Sequence, residues 1–194
     1  MKLDIILSGV GGQGILSISA IIGVAAVKNG LYLKQAEVHG MSQRGGEVQS
    51  HLRISDKPIY ADLVQKGKAD LIISVEPLES LRYLPFLSPE GWIVTNTKPF
   101  VNMPNYPQIE DVLAEVAKVP HHIIIDADKI AKELGSALVM NMVMLGAASE
   151  FMPIEYKDLQ DAIRTIFGKK GEQLIEQNLT AMEKGKEYSK MKIN

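Results

Sequence analysis

"EVHGMSQRGGEVQSHLRIS", residues 37–55, sets two β-rich runs on either side of a glycine-containing turn, and the length of that turn decides the fold. "LYLKQAEV" upstream and "EVQSHLRIS" downstream both read as strands, and only the seven residues 40–46 join them. A parallel pair needs a crossover of about a dozen residues or more, so these strands are antiparallel neighbours and the loop is a hairpin tip. In the second run Val48, Ser50, Leu52 and Ile54 alternate with Glu47, Gln49, His51 and Arg53. One face is therefore apolar, and the polar face is either wet or docked.

Outward from the hairpin the chain alternates strand and helix patterns. "KLDIILS" is a short β-rich run that ends in glycines, and "GILSISAIIGVAAVKNG" is an apolar helix that Asn29-Gly30 can stop. "ADLIISV", "GWIVTN" and "HHIIID" supply further strands. Helices are expected in "EPLESLRYL", with Pro77 in its first turn, and in "IEDVLAEVAKV", "DADKIAKEL", "ALVMNMVMLGAASEF", "YKDLQDAIRTIF" and "GEQLIEQNLTAMEKGKEYSK". The expected architecture is α/β, a Rossmann-like three-layer sandwich with a mixed sheet, one antiparallel hairpin and a helical C-terminal third starting near Asp126. At 194 residues and 46% hydrophobic content, residues 1–194 are read as a single domain.

Composition removes several function classes. The 21 basic and 23 acidic residues leave a net charge of −2, too small a field to favour nucleic acid or an anionic membrane as partner. The N-terminus carries one positive residue before a structured motif and no apolar run has the length of a membrane span, so a cytoplasmic protein is expected. With no cysteine, the chain can supply no thiolate for an iron-sulfur cluster or a Cys-rich zinc site. The four histidines lack ligand spacing, and adjacent His121 and His122 should point to opposite faces of a strand. No metal ligand is assigned.

"GVGGQG", residues 9–14, fits the G-x-G-x-x-G pattern between a strand and a helix. Glycines there permit a tight turn and close backbone approach, and the amides of the first helical turn form an anion site. Dinucleotide binding further requires an acidic residue about 20 positions on to grip a ribose. That region reads Lys34, Gln35, Ala36, Glu37, with the acid late and a cation nearer the required place. What remains is a phosphate or carboxylate site, or mere close packing of helix on sheet. Loops after two parallel strands leave the sheet at one edge, so Gly11, Gly12, Gln13 and Gly14 should approach Ser42, Gln43, Arg44, Gly45 and Gly46. Arg44 would add bidentate donors, and Gly45-Gly46 a concave nest of amides; the plainer alternative is a solvated turn.

Other templates fail. Ile15 stands where a Walker lysine would follow the glycines, and Arg44 where a nucleophile elbow needs its second glycine. His39 and Ser42 suit a turn hydrogen bond better than a catalytic pair. Glu76 and Glu79 fit a helix start, each favoured by the dipole by roughly a few tenths of a kcal/mol. No catalytic residue is assigned. Met140, Met142 and Met144 beside Gly146, Ala147 and Ala148 fit either a core helix or a subunit contact.

Taken together, "GVGGQGILS", "EVHGMSQRGGEVQSHLRIS", "GKADLIISVEPLESLR" and "NMVMLGAAS" resemble the gamma-type domain of the 2-oxoacid:ferredoxin oxidoreductases over nearly the whole chain, nearest the small beta subunit of the indolepyruvate branch. The resemblance implies a subunit of a complex that oxidatively decarboxylates an arylpyruvate to its acyl-CoA and passes the electrons to ferredoxin. It places thiamine diphosphate, magnesium and the iron-sulfur clusters on a large partner subunit, leaving this chain to complete the active-site region around CoA. In keeping with that, the chain lacks the Gly-Asp-Gly segment that such thiamine enzymes use to hold magnesium diphosphate. Two alternatives stay open: a gamma subunit serving pyruvate, 2-ketoisovalerate or 2-oxoglutarate, and a free-standing phosphate- or nucleotide-binding regulatory module. The isolated chain is expected to be colourless, inactive on 2-oxoacids and without affinity for NAD. Micromolar NAD binding in a calorimeter would contradict this.

Overall fold

The run from Lys2 to Val10 is buried at every position but the first, apolar except at Lys2, Asp4, Ser8 and Gly9, and it forms β1 (Lys2–Val10) in the middle of a mixed sheet. The structure, a computed structural model, describes residues 1–39 and 45–193, the His39 side chain excepted. The other strands are β2 (Tyr32–His39), β3 (Glu47–Ser55), β4 (Ala69–Ser74), β5 (Leu87–Asn96) and β6 (His122–Ile125), in the order β2-β3-β1-β4-β5-β6. β3 is antiparallel to both β1 and β2, which makes β1 and β2 parallel with the returning hairpin arm between them. β4, β5 and β6 continue parallel to β1. The hairpin expected from its seven-residue connection is thus present, as are the mixed sheet and the helices around it.

Two cores lie on opposite faces of this sheet. Leu3, Ile5 and Leu7 of β1, Leu71 and Ile73 of β4, and Leu52 and Ile54 of β3 face one cluster. It is built with α1 (Leu16–Lys28), α4 (Ala127–Glu133), α5 (Met140–Ala148), α6 (Tyr156–Phe167) and α7 (Glu172–Ile193). Ile6, Ile72 and Ile93 face the other, with α2 (Pro77–Arg82) and α3 (Ile109–Val116). The period-2 switch along each strand therefore sorts side chains between two helical layers.

The methionine-rich helix resolves toward the core. Met142, Met144, Ala147 and Ala148 are buried. A Cβ on Gly146 would lie 1.8 Å from the Met182 carbonyl oxygen, and one on Gly185 would lie 1.9 Å from that of Val143. α5 and α7 thus cross backbone to backbone, a contact only glycine permits. β5 starts at Leu87, upstream of the expected "GWIVTN", because its register against β4 breaks between Ala69 and Leu71. Pro89 is accommodated at that irregularity, and a Cβ on Gly91 would meet Ala69 O at 2.7 Å.

The polar face of β3 is docked, not wet. Residues 56–66 fold back across it, and the Val64 amide donates to His51 Nδ1 at 3.0 Å while the Phe86 ring meets the imidazole edge-on at 5.5 Å. Arg53 is fixed by a two-pronged contact with buried Asp4 (Nε to Oδ1 2.8 Å, Nη2 to Oδ2 3.2 Å) and by the Ala61 carbonyl. Arg53 and Asp4 are directly opposed in the β1–β3 register, which makes this a cross-strand charge-assisted pair.

Burial, and secondarily the Arg53 charge, pushes the His51 pKa below 6.5, so the folded protein favours the neutral ring. Between the folded value and 6.5 the unfolded chain binds more protons, so this stability is complete above pH 6.5 and is lost as pH falls through the window. Thermal melts should show Tm falling as pH drops below 6.5, with the slope reduced in His51→Leu. An unchanged slope in the variant would contradict the assignment.

Candidate functional site

The glycine loop leaves β1 at the C-terminal edge of the sheet, and its glycines serve two different roles. A Cβ on Gly9 would strike Val75 Cγ2 at 2.5 Å, so this glycine serves close packing. Gly12 and Gly14 hold φ values of 102° and 72°, which an L side chain adopts only with strain, and nothing lies within 4 Å of the position of a Gly12 Cβ. The bland packing role and the open-loop role are thus both present, at different residues. Gln13 folds back on the loop: its Oε1 accepts from the Val10 amide at 2.7 Å, which makes it a brace.

Ile15 precedes α1 without a side-chain cap. Among the described residues the amides of Gly12, Gly14, Ile15 and Leu16 donate to no acceptor. Gly12, Gly14 and Leu16 are exposed. Unpaired amides at the start of a 13-residue helix, with no acidic residue in its first turn, attract an anion.

The hairpin base is bonded to this loop. Gly11 N donates to Gly46 O at 2.8 Å and Gly45 N donates to Gly11 O at 3.3 Å, continuing the β1–β3 ladder past Val10 and Glu47. The convergence expected for Gly11–Gly14 and the hairpin therefore holds at Gly45 and Gly46. Ser42, Gln43 and Arg44, with the His39 side chain, lie outside the described residues. The nest expected from Gly45-Gly46 needs correction: Gly45 has φ 78°, but its amide is engaged by Gly11, and Gly46 is not in the positive-φ region. Among the described residues the free donors come from the glycine loop and the start of α1.

Three residues that sequence reasoning missed hold this edge together. Asn102 Nδ2 donates to Gly45 O at 2.7 Å, tying the segment after β5 to the hairpin base. Asn141 Nδ2 donates to Gln13 O and Gly14 O, both at 2.9 Å. Asn96, 1% exposed at the end of β5, donates to Val75 O and Asp128 Oδ2 and accepts from the amides of Thr97 and Ala127. The only advance signal was Asn141, a lone amide within the apolar run "ALVMNMVMLGAAS".

Glu76 and Glu79 also differ from a simple helix start. Glu76 is 1% exposed. Its carboxylate caps α2 through the Glu79 amide and also accepts from the Phe100 amide and the Tyr106 hydroxyl. Burial, then the hydrogen bond to Glu76, pushes the Tyr106 phenol pKa upward. Burial raises the Glu79 pKa against the opposing pull of Arg82. Arg82 reaches Glu79 at 2.9 Å and Glu47 at 3.4 Å, and Tyr83 donates to Glu47 at 2.7 Å, so α2 also grips the first residue of β3.

The fold and this edge define an α/β domain with an anion-receptive glycine loop laced to an antiparallel hairpin. The chain belongs to the pyruvate ferredoxin/flavodoxin oxidoreductase family, whose model matches residues 4–188. It is 38% identical to the indolepyruvate oxidoreductase subunit IorB of Archaeoglobus fulgidus over 95% of this chain and 94% of that one. It is 29% identical to the common gamma subunit of the pyruvate/ketoisovalerate oxidoreductases of Thermococcus kodakarensis over 85% and 86%. Among solved structures it superposes with a TM-score of 0.78 and 26% identity on the 2-oxoglutarate:ferredoxin oxidoreductase of Magnetococcus marinus, solved with 2-oxoglutarate, coenzyme A and succinyl-CoA bound. That match covers 98% of this chain and 31% of the longer one. The gamma subunit of a keto/oxoacid ferredoxin oxidoreductase from Geobacter sulfurreducens shares the fold, with a TM-score of 0.71 over 97% of this chain and 99% of that one. No helix among the described residues is long and apolar enough to cross a membrane, and no group of three or more metal-ligating side chains occurs among them.

Removing the Glu76 carboxylate leaves buried donors unpaired at about 1–3 kcal/mol each, so Glu76→Ala should lower unfolding free energy by about 2–4 kcal/mol, well beyond a dipole effect. Urea denaturation measures it. Unchanged stability with lost activity of the assembled enzyme would show that Glu76 acts in the chemistry instead.

Proposed function

We propose that this chain is the small, cofactor-free subunit of a 2-oxoacid:ferredoxin oxidoreductase of the arylpyruvate branch, acting as one gamma-type domain on a large subunit that carries thiamine diphosphate, magnesium and the iron-sulfur clusters. The complex oxidatively decarboxylates the oxoacid to its acyl-CoA and delivers the electrons to ferredoxin in the cytoplasm. What carries this reading is the glycine loop bonded to the hairpin base, in a chain that matches IorB almost end to end. A chain with no cysteine fits the placement of the clusters on the partner.

CoA is the group whose chemistry fits this edge. The exposed loop amides at Gly12, Gly14 and Leu16 suit its phosphates, and Arg44, Ser42 and Gln43 on the adjoining tip would add side-chain donors. CoA supplies the thiol that takes up the acyl group; the role of this chain is to hold the anionic end and orient it. The relative from Magnetococcus marinus, solved with CoA and succinyl-CoA, supports that choice.

Exposed apolar side chains ring the same edge. Leu16 follows the glycine loop, Val38 is the penultimate residue of β2, Phe100 and Val101 stand beside the Asn102 tether, and Leu138 precedes α5, with exposures from 38% to 88%. Such residues around a polar centre suit a protein contact, which favours a subunit over a free-standing regulatory module.

Arg44→Ala removes a charge contact and no core volume. Folding should survive while CoA affinity or subunit association weakens by about 1.5–3 kcal/mol, the range of a charge-assisted bond. Assays of the reconstituted complex for CoA dependence and dissociation check this, and unchanged values for both would return the loop to a solvated turn.

A further inference from the structure

We propose that Asn141 is a positioning residue for the anion site: it sets the Gln13–Gly14 peptide so that the Gly14 amide faces the ligand. This rests on the CoA reading above and adds the part played by the C-terminal helices. Asn141 Nδ2 lies 2.9 Å from Gln13 O, 2.9 Å from Gly14 O and 3.3 Å from Ser17 Oγ. The two carbonyls are not equally dependent on it. Gly14 O also accepts from Ser17 N and Ser17 Oγ, whereas among the described residues Gln13 O accepts from Asn141 alone.

A trans peptide carries its carbonyl and its following N–H on opposite sides. Drawing Gln13 O toward α5 therefore turns the Gly14 N–H away from it, toward the open side of the loop. Gly14, at φ 72°, lets the adjoining peptide rotate cheaply, so the loop alone does not fix that direction. The clamp itself is rigidly mounted. Asn141 is the second residue of α5, and α5 is held to α7 at Gly146 and Gly185 with no space even for a methyl group. The contact spans 128 positions of sequence, which gives the C-terminal helical pair a part in the site.

A purely structural asparagine would satisfy both ends of its amide. Here Asn141 Oδ1 is buried and has no partner among the described residues. Leaving such an acceptor unpaired costs about 1–3 kcal/mol, in a helix whose following residues, Met142 to Ala148, are all buried and non-polar. The residue is tolerated for what its donor end does to the loop.

The test uses the complex reconstituted with its large subunit. Asn141→Asp keeps the shape, cannot donate and repels both carbonyls. The expected result is a rise of about tenfold in KM for CoA, equivalent to about 1.4 kcal/mol, with kcat at saturating CoA and KM for the oxoacid within about twofold. If the aspartate variant does not fold, Asn141→Ala takes its place, with the same split expected. A normal KM for CoA in the Asn141 variant, in a complex where Arg44→Ala does raise it, would overturn the positioning role and leave the CoA reading standing. Normal values in both variants would overturn both. Parallel losses of Tm, kcat and both KM values would reduce Asn141 to a packing residue and overturn the role.

Discussion

The structure depends on a pair of backbone hydrogen bonds, Gly11 N to Gly46 O and Gly45 N to Gly11 O. They extend the β1–β3 ladder beyond its last register pair and convert two loops, distant in sequence, into one surface. Because β3 occupies the place next to β1, the parallel partner β2 is displaced by one further strand, roughly 9–10 Å from β1 instead of about 4.8 Å. An acidic residue at the end of β2 therefore cannot reach a ribose over the glycine loop as it does in a dinucleotide fold. The same insertion that breaks that geometry delivers the hairpin base, and with it a second set of anion-friendly residues, to the loop.

Further contacts support those two bonds. Asp4 and Arg53 lock β1 to β3 toward the other end of the same ladder. Glu47, at the mouth of the hairpin, is gripped by Tyr83 and Arg82 of the α2 region. Buried Glu76 anchors the segment through Phe100 and Tyr106, and that segment returns Asn102 to Gly45 O. The arrangement braces the backbone and leaves the loop amides free, as a binding surface requires, and among the described residues it contains no constellation of nucleophile and base. Such an arrangement is suited to hold and orient a ligand.

The parts legible in the sequence were those set by local rules. Loop length forced the hairpin, period-2 alternation placed the strands, and the glycine pattern marked the loop between β1 and α1. The missing cysteines and the late acid narrowed the chemistry before any coordinates. Illegible were contacts between residues far apart in the chain: Asn141 to Gln13, Asn102 to Gly45, and Tyr106 to Glu76. Glu76 looked like an ordinary helix-start carboxylate because nothing local reveals that residues 100–106 bury it. Alternation put His51 on a face that could be wet or docked, and could not decide between them because the cover over it, Val64 and Phe86, comes from later segments.

The central claim is that the C-terminal edge of the sheet faces the large subunit while the opposite edge does not. Photo-crosslinking in the co-expressed complex tests it most directly, with a photoreactive residue placed at Leu138 (88% exposed, three positions before Asn141) or at Tyr60 (93% exposed, near Lys2 and Ser55 at the far edge). The account predicts a covalent adduct with the large subunit from position 138 and none from position 60. Capture from position 60 with none from position 138 would contradict it.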